Sequence, residues 1–199
     1  MMTPCFVNVA DAEAGIDLTS LKIGGDYASG DVTVETLDSL GRLDKDYSFI
    51  KDRKGNWYWS GDDGKVEEGD VIFPVGKGLW VAGVDSTSLT SAGAVSTNDN
   101  TINLQEGFVA CGNMTAVPVD LTSIVPGGDY ASGDITIETL DSLGNLDKDY
   151  SFIKDRKGNW YWSGDDGKVE EGEIFFAPGK GLWVAGVDGA SITIPGPTL

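Results

Sequence analysis

The sequence predicts an all-β protein made of two tandem antiparallel β-sandwich or barrel-like domains, each with about seven short strands. Three observations predict this. One long stretch occurs twice, short β-branched and aromatic runs recur roughly every 8–12 residues between turn-forming residues, and no stretch keeps helical periodicity beyond about two turns. Such spacing is typical of antiparallel sandwiches and barrels.

The repeat covers residues 16–85 and returns at residues 119–188, where 58 of the 70 aligned positions are identical. Residues 43–69 return without a change as residues 146–172. A period of this length fits one small domain per copy. We therefore expect three segments: a first β repeat (1–91), a small polar linker (92–100) and a second β repeat (101–199).

The strands of the first copy are predicted from apolar alternation and from the turns between them. We place seven, at residues 5–9, 32–37, 46–51, 57–60, 71–73, 78–82 and 88–90. In Val32–Leu37, alternation places Val32, Val34 and Thr36 on one buried face. Residues 54–56 form a tight turn, which makes 57–60 the hairpin partner of 46–51.

Two further segments flank these strands. Residues 17–21 are too short for a stable helix and predict a turn or a single helical turn. Residues 101–104 predict a strand that opens the second copy.

The two cysteines, Cys5 and Cys111, do not match in this alignment. Phe6-Val7 resembles Phe108-Val109, so residues 107–111 are taken as the counterpart of 5–9. The two thiols then occupy different positions in their copies. Two free, buried thiols are the simpler prediction, and a bridge between the copies is the alternative.

The charge balance limits the classes of partner. The chain carries 32 carboxylates against 14 Lys and Arg, a formal net charge of −18, and no His. Nucleic acid and anionic membrane surfaces both require clustered positive charge, so neither is an expected partner. Without His, the Ser-His-Asp, Cys-His and His-zinc sites are excluded. We expect a protein that is not an enzyme and has no cofactor, with calcium as the alternative.

The calcium alternative rests on acidic turns. Asp62-Asp63 and Asp165-Asp166 are oxygen-rich and lie next to glycines, as calcium loops often do, but the EF-hand spacing is missing. A solvated turn is the simpler interpretation. A glycosidase would need two carboxyl groups facing each other across a cleft, which sequence neighbours on a turn do not favour.

Tryptophan pairs are the candidate contact residues. In Trp57-Tyr58-Trp59, alternation places both indoles on one strand face, and Trp160 and Trp162 repeat this. An exposed pair would stack on sugar rings or anchor a partner. A buried pair would be core, which is the commoner outcome for aromatic residues in a small β domain.

One strand motif carries a family resemblance. Residues 177–184 read Ala-Pro-Gly-Lys-Gly-Leu-Trp-Val, and residues 75–81 repeat the motif with Val75 in place of Pro178. Together with residues 138–144, this resembles the poorly characterised tandem β-repeat proteins of gut bacteria and their phages, which share a PGxGLWV-type motif. The resemblance covers nearly the whole chain and implies no catalytic residues.

The resemblance implies a structural role. We expect a phage virion component, such as a capsid decoration (cement) protein, because the first residues also lack the features of a signal peptide. The expected partner is a protein, either a capsid or another surface lattice, and a homo-oligomer is one arrangement. The alternative is an extracellular or cell-surface bacterial module that binds carbohydrate through exposed Trp pairs.

Overall fold

The structure of the chain is a computed structural model. It describes residues 2–6, 15–38, 42–73, 78–90, 98–113, 115, 117–141, 145–178 and 180–197. The predicted linker therefore lies mostly outside the described residues, and its last residue, Asn100, already belongs to a strand.

The chain is all-β, as predicted, and no α-helix occurs in the part of the chain that the structure describes. The strands of the first copy are β1 (Met2–Phe6), β2 (Ile16–Asp17), β3 (Lys22–Gly24), β4 (Val32–Leu37), β5 (Leu43–Lys51), β6 (Trp57–Gly61), β7 (Gly64–Lys65), β8 (Ile72–Phe73), β9 (Gly78–Ala82) and β10 (Ser88–Thr90). Those of the second are β11 (Asn100–Asn103), β12 (Gly107–Gly112), β13 (Val119–Asp120), β14 (Val125–Gly128), β15 (Thr136–Leu140), β16 (Leu146–Lys154), β17 (Trp160–Gly164), β18 (Gly167–Lys168), β19 (Phe175–Phe176), β20 (Gly181–Gly186) and β21 (Ala190–Ile194).

The two copies form equivalent antiparallel sheets. The large sheet of the first copy has the order β1-β9-β4-β5-β6-β7, and that of the second has the order β12-β20-β15-β16-β17-β18. Smaller sheets, β10-β3, β2-β8, β13-β19 and β11-β21-β14, complete a sandwich-like arrangement. The strands outnumber the seven predicted per copy because β2, β3 and β7 have only two or three residues, too few to show alternation.

Alternation along β4 produces the core as predicted. Val32, Val34 and Thr36 are buried, whereas the residues between them are not. In the second copy Ile135 and Ile137 take the places of Val32 and Val34 and are also buried. The predicted helical turn is a 3₁₀ turn at Leu18–Ser20, capped by the Asp17 carboxylate, which accepts hydrogen bonds from the Thr19 backbone N–H and hydroxyl.

Each copy has its own hydrophobic cluster. The buried residues of the two clusters come from residues 16–79 and 104–194 respectively, with no member shared among the described residues. The predicted domain boundaries remain a prediction, because the copies also touch each other: β9 packs on β12, and β1 on β20.

This contact between the copies is tight. The indole rings of Trp80 and Trp183 meet edge to face with centroids 6.3 Å apart. A Cβ added to Gly78 would lie 2.5 Å from the Cβ of Ala110, so the close approach requires glycine at position 78. Both tryptophan positions are equivalent in the repeat, which makes the contact nearly symmetric.

The predicted alignment of the cysteines is wrong. Cys5 pairs with Leu79 in the β1–β9 ladder, and Cys111 pairs with Leu182 in the β12–β20 ladder. Since Leu79 and Leu182 are equivalent, the cysteines are equivalent as well. The Phe-Val match gave the wrong alignment because nine residues separate β1 from β2, whereas six separate β12 from β13.

The Cys111 thiol is free and fully buried, as the simpler prediction had it, so it is not bridged to Cys5. Burial raises its pKa to about 12 because the thiolate would lose its hydration. Such a thiol is chemically inert near neutral pH.

Candidate functional site

The tryptophan pairs do not form exposed platforms. Trp59 and Trp162 share a strand face with Trp57 and Trp160, as predicted, but each is only 2% exposed and belongs to a core cluster. Burial therefore favours the core interpretation of Trp59 and Trp162, and their role as ligand contacts stays a prediction. They are buried because the face they share is the one that the 3₁₀ turn and the small sheets cover.

Trp57 and Trp160 lie at the rim of each core, each in contact with a phenylalanine ring and a lysine. The indole of Trp160 stacks on Phe152 with centroids 5.2 Å apart and an angle of 8° between the planes. The Nζ of Lys154 lies over the same indole, 5.4 Å from its centroid. Phe49 and Lys51 flank Trp57 in the same way. A sugar ring would have to displace the lysine.

Asp62 and Asp63 are the two loop residues of the β6–β7 hairpin, where Gly61 pairs with Gly64. Gly64 has φ +105°, a value that favours glycine after such a turn. Both aspartates are exposed, and so are Asp165 and Asp166 in the second copy. No group of three or more acidic, Cys or His side chains is arranged to hold a metal ion among the described residues. The calcium alternative therefore has no support beyond the sequence.

A cleft that we call the acidic groove opens beside this turn. It has a volume of about 640 Å³ in the first copy and lies between the start of β5, the β6–β7 hairpin and β8. Its floor includes Tyr47, Phe73 and the exposed Ile72. Its five carboxylates are Asp44, Asp46, Asp62, Asp63 and Asp70.

The second copy has an equivalent acidic groove of about 110 Å³, lined by Asp149, Asp165, Asp166 and Glu173 among others. Sequence reasoning singled out the aspartate turns but missed the groove. Its walls are distant along the chain, and only the closure of two hairpins brings them together.

The opposite end of the β5–β6 hairpin is basic. We call Lys51, Arg53 and Lys54 the hairpin tip, with Lys154, Arg156 and Lys157 as its twin; all six are exposed. Asp52 fixes the turn, because its carboxylate accepts hydrogen bonds from the backbone N–H of Lys54 and Asn56 and from the Asn56 amide. The hydrogen bonds from Asn56 lower the pKa of Asp52.

The positive charges of the tips have no carboxylate partner. Three ion pairs occur among the described residues, Arg42–Asp38, Lys65–Glu67 and Lys168–Glu170, and none involves a tip. In a chain with 32 carboxylates and 14 cations, this separation of charge is unexpected. The run Lys-Asp-Arg-Lys in the sequence could have revealed this cluster of basic residues.

Each large sheet has a second face, opposite its core, which we call the open face. Its residues on β4, β5 and β6 are half-buried and comprise Thr33, Glu35, Asp46, Ser48, Ile50, Tyr58 and Ser60. Every one of them is identical in the second copy. In β4, by contrast, the two core positions Val32 and Val34 differ between copies.

Two carboxylates face each other across the open face. Glu35 pairs directly with Asp46 in the β4–β5 ladder. Burial, and then the negative charge of Asp46, raise the pKa of Glu35. Glu138 and Asp149 repeat this arrangement, with the same causes. Like charges directly opposite one another on neighbouring strands destabilise a sheet, so their retention in both copies needs a reason.

No protein-family model, curated protein or solved structure matches this chain. The described residues include no helix that is long and apolar enough to cross a membrane.

Proposed function

We propose that the chain is a non-enzymatic structural and interaction protein that presents the same surface twice to a repeating partner. The setting that the family resemblance implies is a phage particle, where the chain would decorate the capsid lattice. A bivalent contact with a repeating surface gains avidity of about 10²–10⁴ over one copy without any new contact.

One observation carries this proposal: the differences between the copies avoid the exposed far edge of the sheet. Residues 43–69, which include β5, β6 and β7, are unchanged at 146–172 although most of their charged side chains are exposed. The twelve differences all lie outside this block, at buried positions such as Val32 and Val34 and at exposed ones such as Lys22 and Arg42. Exposed side chains contribute little to stability. Their identity is therefore better explained by a shared contact than by folding.

The test is whether the chain binds particles through both copies. We would add purified chain to gradient-purified phage particles from the host that carries the gene, and measure co-sedimentation. Tyr58→Ala or Tyr161→Ala alone, on the open face, should weaken binding, and the double variant should abolish it. Lys22→Ala and Val125→Ala, at exposed positions that differ between the copies, are matched controls and should bind like the unmodified chain.

Mass spectrometry of the particles gives the independent readout. Peptides of this chain should be present in stoichiometric amounts. Their absence from purified particles, together with no co-sedimentation, would contradict the proposal.

One observation favours carbohydrate binding as a second candidate. A cleft of about 400 Å³ in the second copy lies beside Trp160, which is 36% exposed, and includes Ile124, Val125 and Glu170. Val125 is exposed where the first copy has Lys22. A glycan array would test this candidate, with Trp160→Ala expected to remove binding and Trp57→Ala expected to retain it. An array with no bound glycan would eliminate it.

A further inference from the structure

We propose that the hairpin tip of one molecule docks into the acidic groove of a second copy of this chain, so that the protein associates head to tail. This goes beyond the proposed function, since it concerns the chain alone and needs no particle.

The hairpin tip has the geometry of a docking element. Its turn is fixed by three hydrogen bonds to Asp52, and a fourth runs from the Lys51 backbone N–H to the Ser29 hydroxyl. Arg53 and Lys54 project from this rigid turn and are exposed. A fixed backbone lowers the entropy lost when the side chains are immobilised on binding.

The acidic groove is complementary to the tip in shape and charge. It is concave, its lining includes Asp44, Asp62, Asp63 and Asp70, and Lys65, one of the two lysines that line it, is paired to Glu67. Its exposed Ile72 and its aromatic floor offer apolar surface to the long alkyl chains of Arg53 and Lys54. A guanidinium also forms two parallel hydrogen bonds with a carboxylate.

The net charge of the chain does not prevent this contact. At about 0.15 M salt, charges more than about 8 Å apart are largely screened. A tip that enters the groove therefore experiences the nearby carboxylates rather than the total charge of −18. The long-range repulsion slows the encounter, and the local attraction stabilises the contact once it forms.

The geometry makes the association open-ended. The tip begins at Lys51, the end of β5, and the groove includes residues 44–47 near its start, four to seven residues away, which is about 14–24 Å along a strand. Two different surfaces at opposite ends of one element give a heterologous contact, which generates rings or filaments. The tip and ten of the fifteen residues that line the groove lie in the unchanged residues 43–69, whereas residues 70–72 of the groove differ between the copies.

The experiment measures self-association of the full chain by sedimentation velocity at about 0.15 M and about 1 M salt. The unmodified chain should form oligomers that grow with concentration at the lower salt and dissociate at the higher. A tip variant, R53E/K54E/R156E/K157E, and a groove variant, D62K/D63K/D165K/D166K, should each associate at least about tenfold more weakly.

Mixing the two variants is the decisive step. The reversed tip and the reversed groove are complementary again, so the mixture should form complexes that neither variant forms alone. Thermal unfolding of each variant serves as the folding control. The mixture would still report on docking if one variant were less stable.

Three results would overturn the proposal. The first is an unmodified chain that stays monomeric at the lower salt. The second is association that the tip variant leaves unchanged. The third is a monomeric chain that binds dextran sulfate through its tips, which would assign the tips to an acidic polymer instead. Binding to particles by a chain that is monomeric alone would leave the proposed function standing while removing this inference.

Discussion

The two acidic grooves have the same walls but different volumes, about 640 Å³ in the first copy and about 110 Å³ in the second. Residues 43–69 are identical to their counterparts, so the difference must come from elsewhere. It coincides with three consecutive substitutions: Asp70, Val71 and Ile72 become Glu173, Ile174 and Phe175. Each replacement is the larger side chain.

The two acidic grooves therefore share their backbone arrangement and their acidic character, and they differ in volume. The hairpin with its two aspartates, the strand ladders and the floor tyrosine are equivalent in both copies. The differing residues, 70–72 and 173–175, end with the first residue of β8 and of β19. The first copy therefore has the roomier groove.

The largest effect is expected from removing the tryptophan that supports each groove. The backbone carbonyl of Trp59 accepts a hydrogen bond from the Val66 N–H at the groove wall, and Trp162 bonds Val169 in the same way. Trp59→Ala and Trp162→Ala should each lower the free energy of unfolding by about 3–5 kcal/mol, because each indole is buried. Chemical denaturation of the full chain measures this.

The two substitutions should differ in one respect. The Trp162 indole N–H donates to the Ile124 carbonyl at 3.2 Å, whereas the Trp59 indole N–H is buried without a partner in the described part of the chain. Trp162→Phe should therefore cost about 0.5–1.5 kcal/mol more than Trp59→Phe. Equal costs would show that the hydrogen bond contributes nothing.

Alternation predicted much of the fold. The period-2 pattern of Val32–Leu37 identified both the strand and its buried face, and the Lys-Gly-Asn turn identified the β5–β6 hairpin. These features are local, because one strand or one turn determines each of them.

Features that depend on distant contacts could not be predicted in this way. Alternation showed that Trp57 and Trp59 share a face but not that other segments cover it. The match of Phe6-Val7 to Phe108-Val109 misaligned Cys5, because the number of residues between β1 and β2 differs from that between β12 and β13. The acidic groove also escaped prediction, since it depends on how the β6–β7 hairpin lies against β8.

Exchanging the groove rims should exchange the docking site. In the unmodified chain, D62K/D63K should weaken self-association about tenfold more than D165K/D166K does, since the roomier groove is the one that accepts a tip. In a chain with D70E/V71I/I72F and E173D/I174V/F175I, the order should reverse. Sedimentation velocity measures self-association in both chains. If D62K/D63K still had the larger effect after the exchange, groove volume would not determine which groove accepts a tip.

A smaller effect on stability is expected from the hydrogen bond that connects each groove rim to the 3₁₀ turn. The Asp17 carboxylate accepts a hydrogen bond from the Gly69 N–H at 2.6 Å, and Asp120 accepts one from Gly172. Asp17→Ala and Asp120→Ala should each cost about 1 kcal/mol of unfolding free energy, since each removes a cap as well as this tie. Denaturant titration measures the loss, and Ser20→Ala, in the same turn, is a milder control.

The contribution of the Asp17 carboxylate to stability depends on pH in a defined direction. Burial alone would raise the pKa of Asp17, but the hydrogen bonds from Thr19 and Gly69 outweigh it, so the pKa is lowered. The ionised carboxylate therefore stabilises the fold above the pKa of an unfolded aspartate, about 3.9, and this contribution is lost as pH falls through the folded value. The Asp17→Ala variant should lack that part of the acid transition.

The smallest effect is expected from the paired carboxylates of the open face, and its sign is opposite. Burial and the neighbouring Asp46 raise the pKa of Glu35, so the folded chain holds this proton more tightly than the unfolded chain does. Its contribution to stability is full below the unfolded pKa and is lost as pH rises through the folded pKa. Because Glu35 is only half-buried and solvent screens its charge, the change should be only a few tenths of a kcal/mol.

Glu35→Gln should therefore stabilise the fold slightly at neutral pH, and Glu138→Gln should do the same in the second copy. Thermal unfolding at pH values above and below the carboxylate range measures the difference, with Asp46→Asn as the matched control that removes the repelling partner. A destabilising Glu35→Gln would mean that the charged carboxylate is itself held by a favourable contact on the open face, which would make that face, rather than the groove, the first place to look for a ligand.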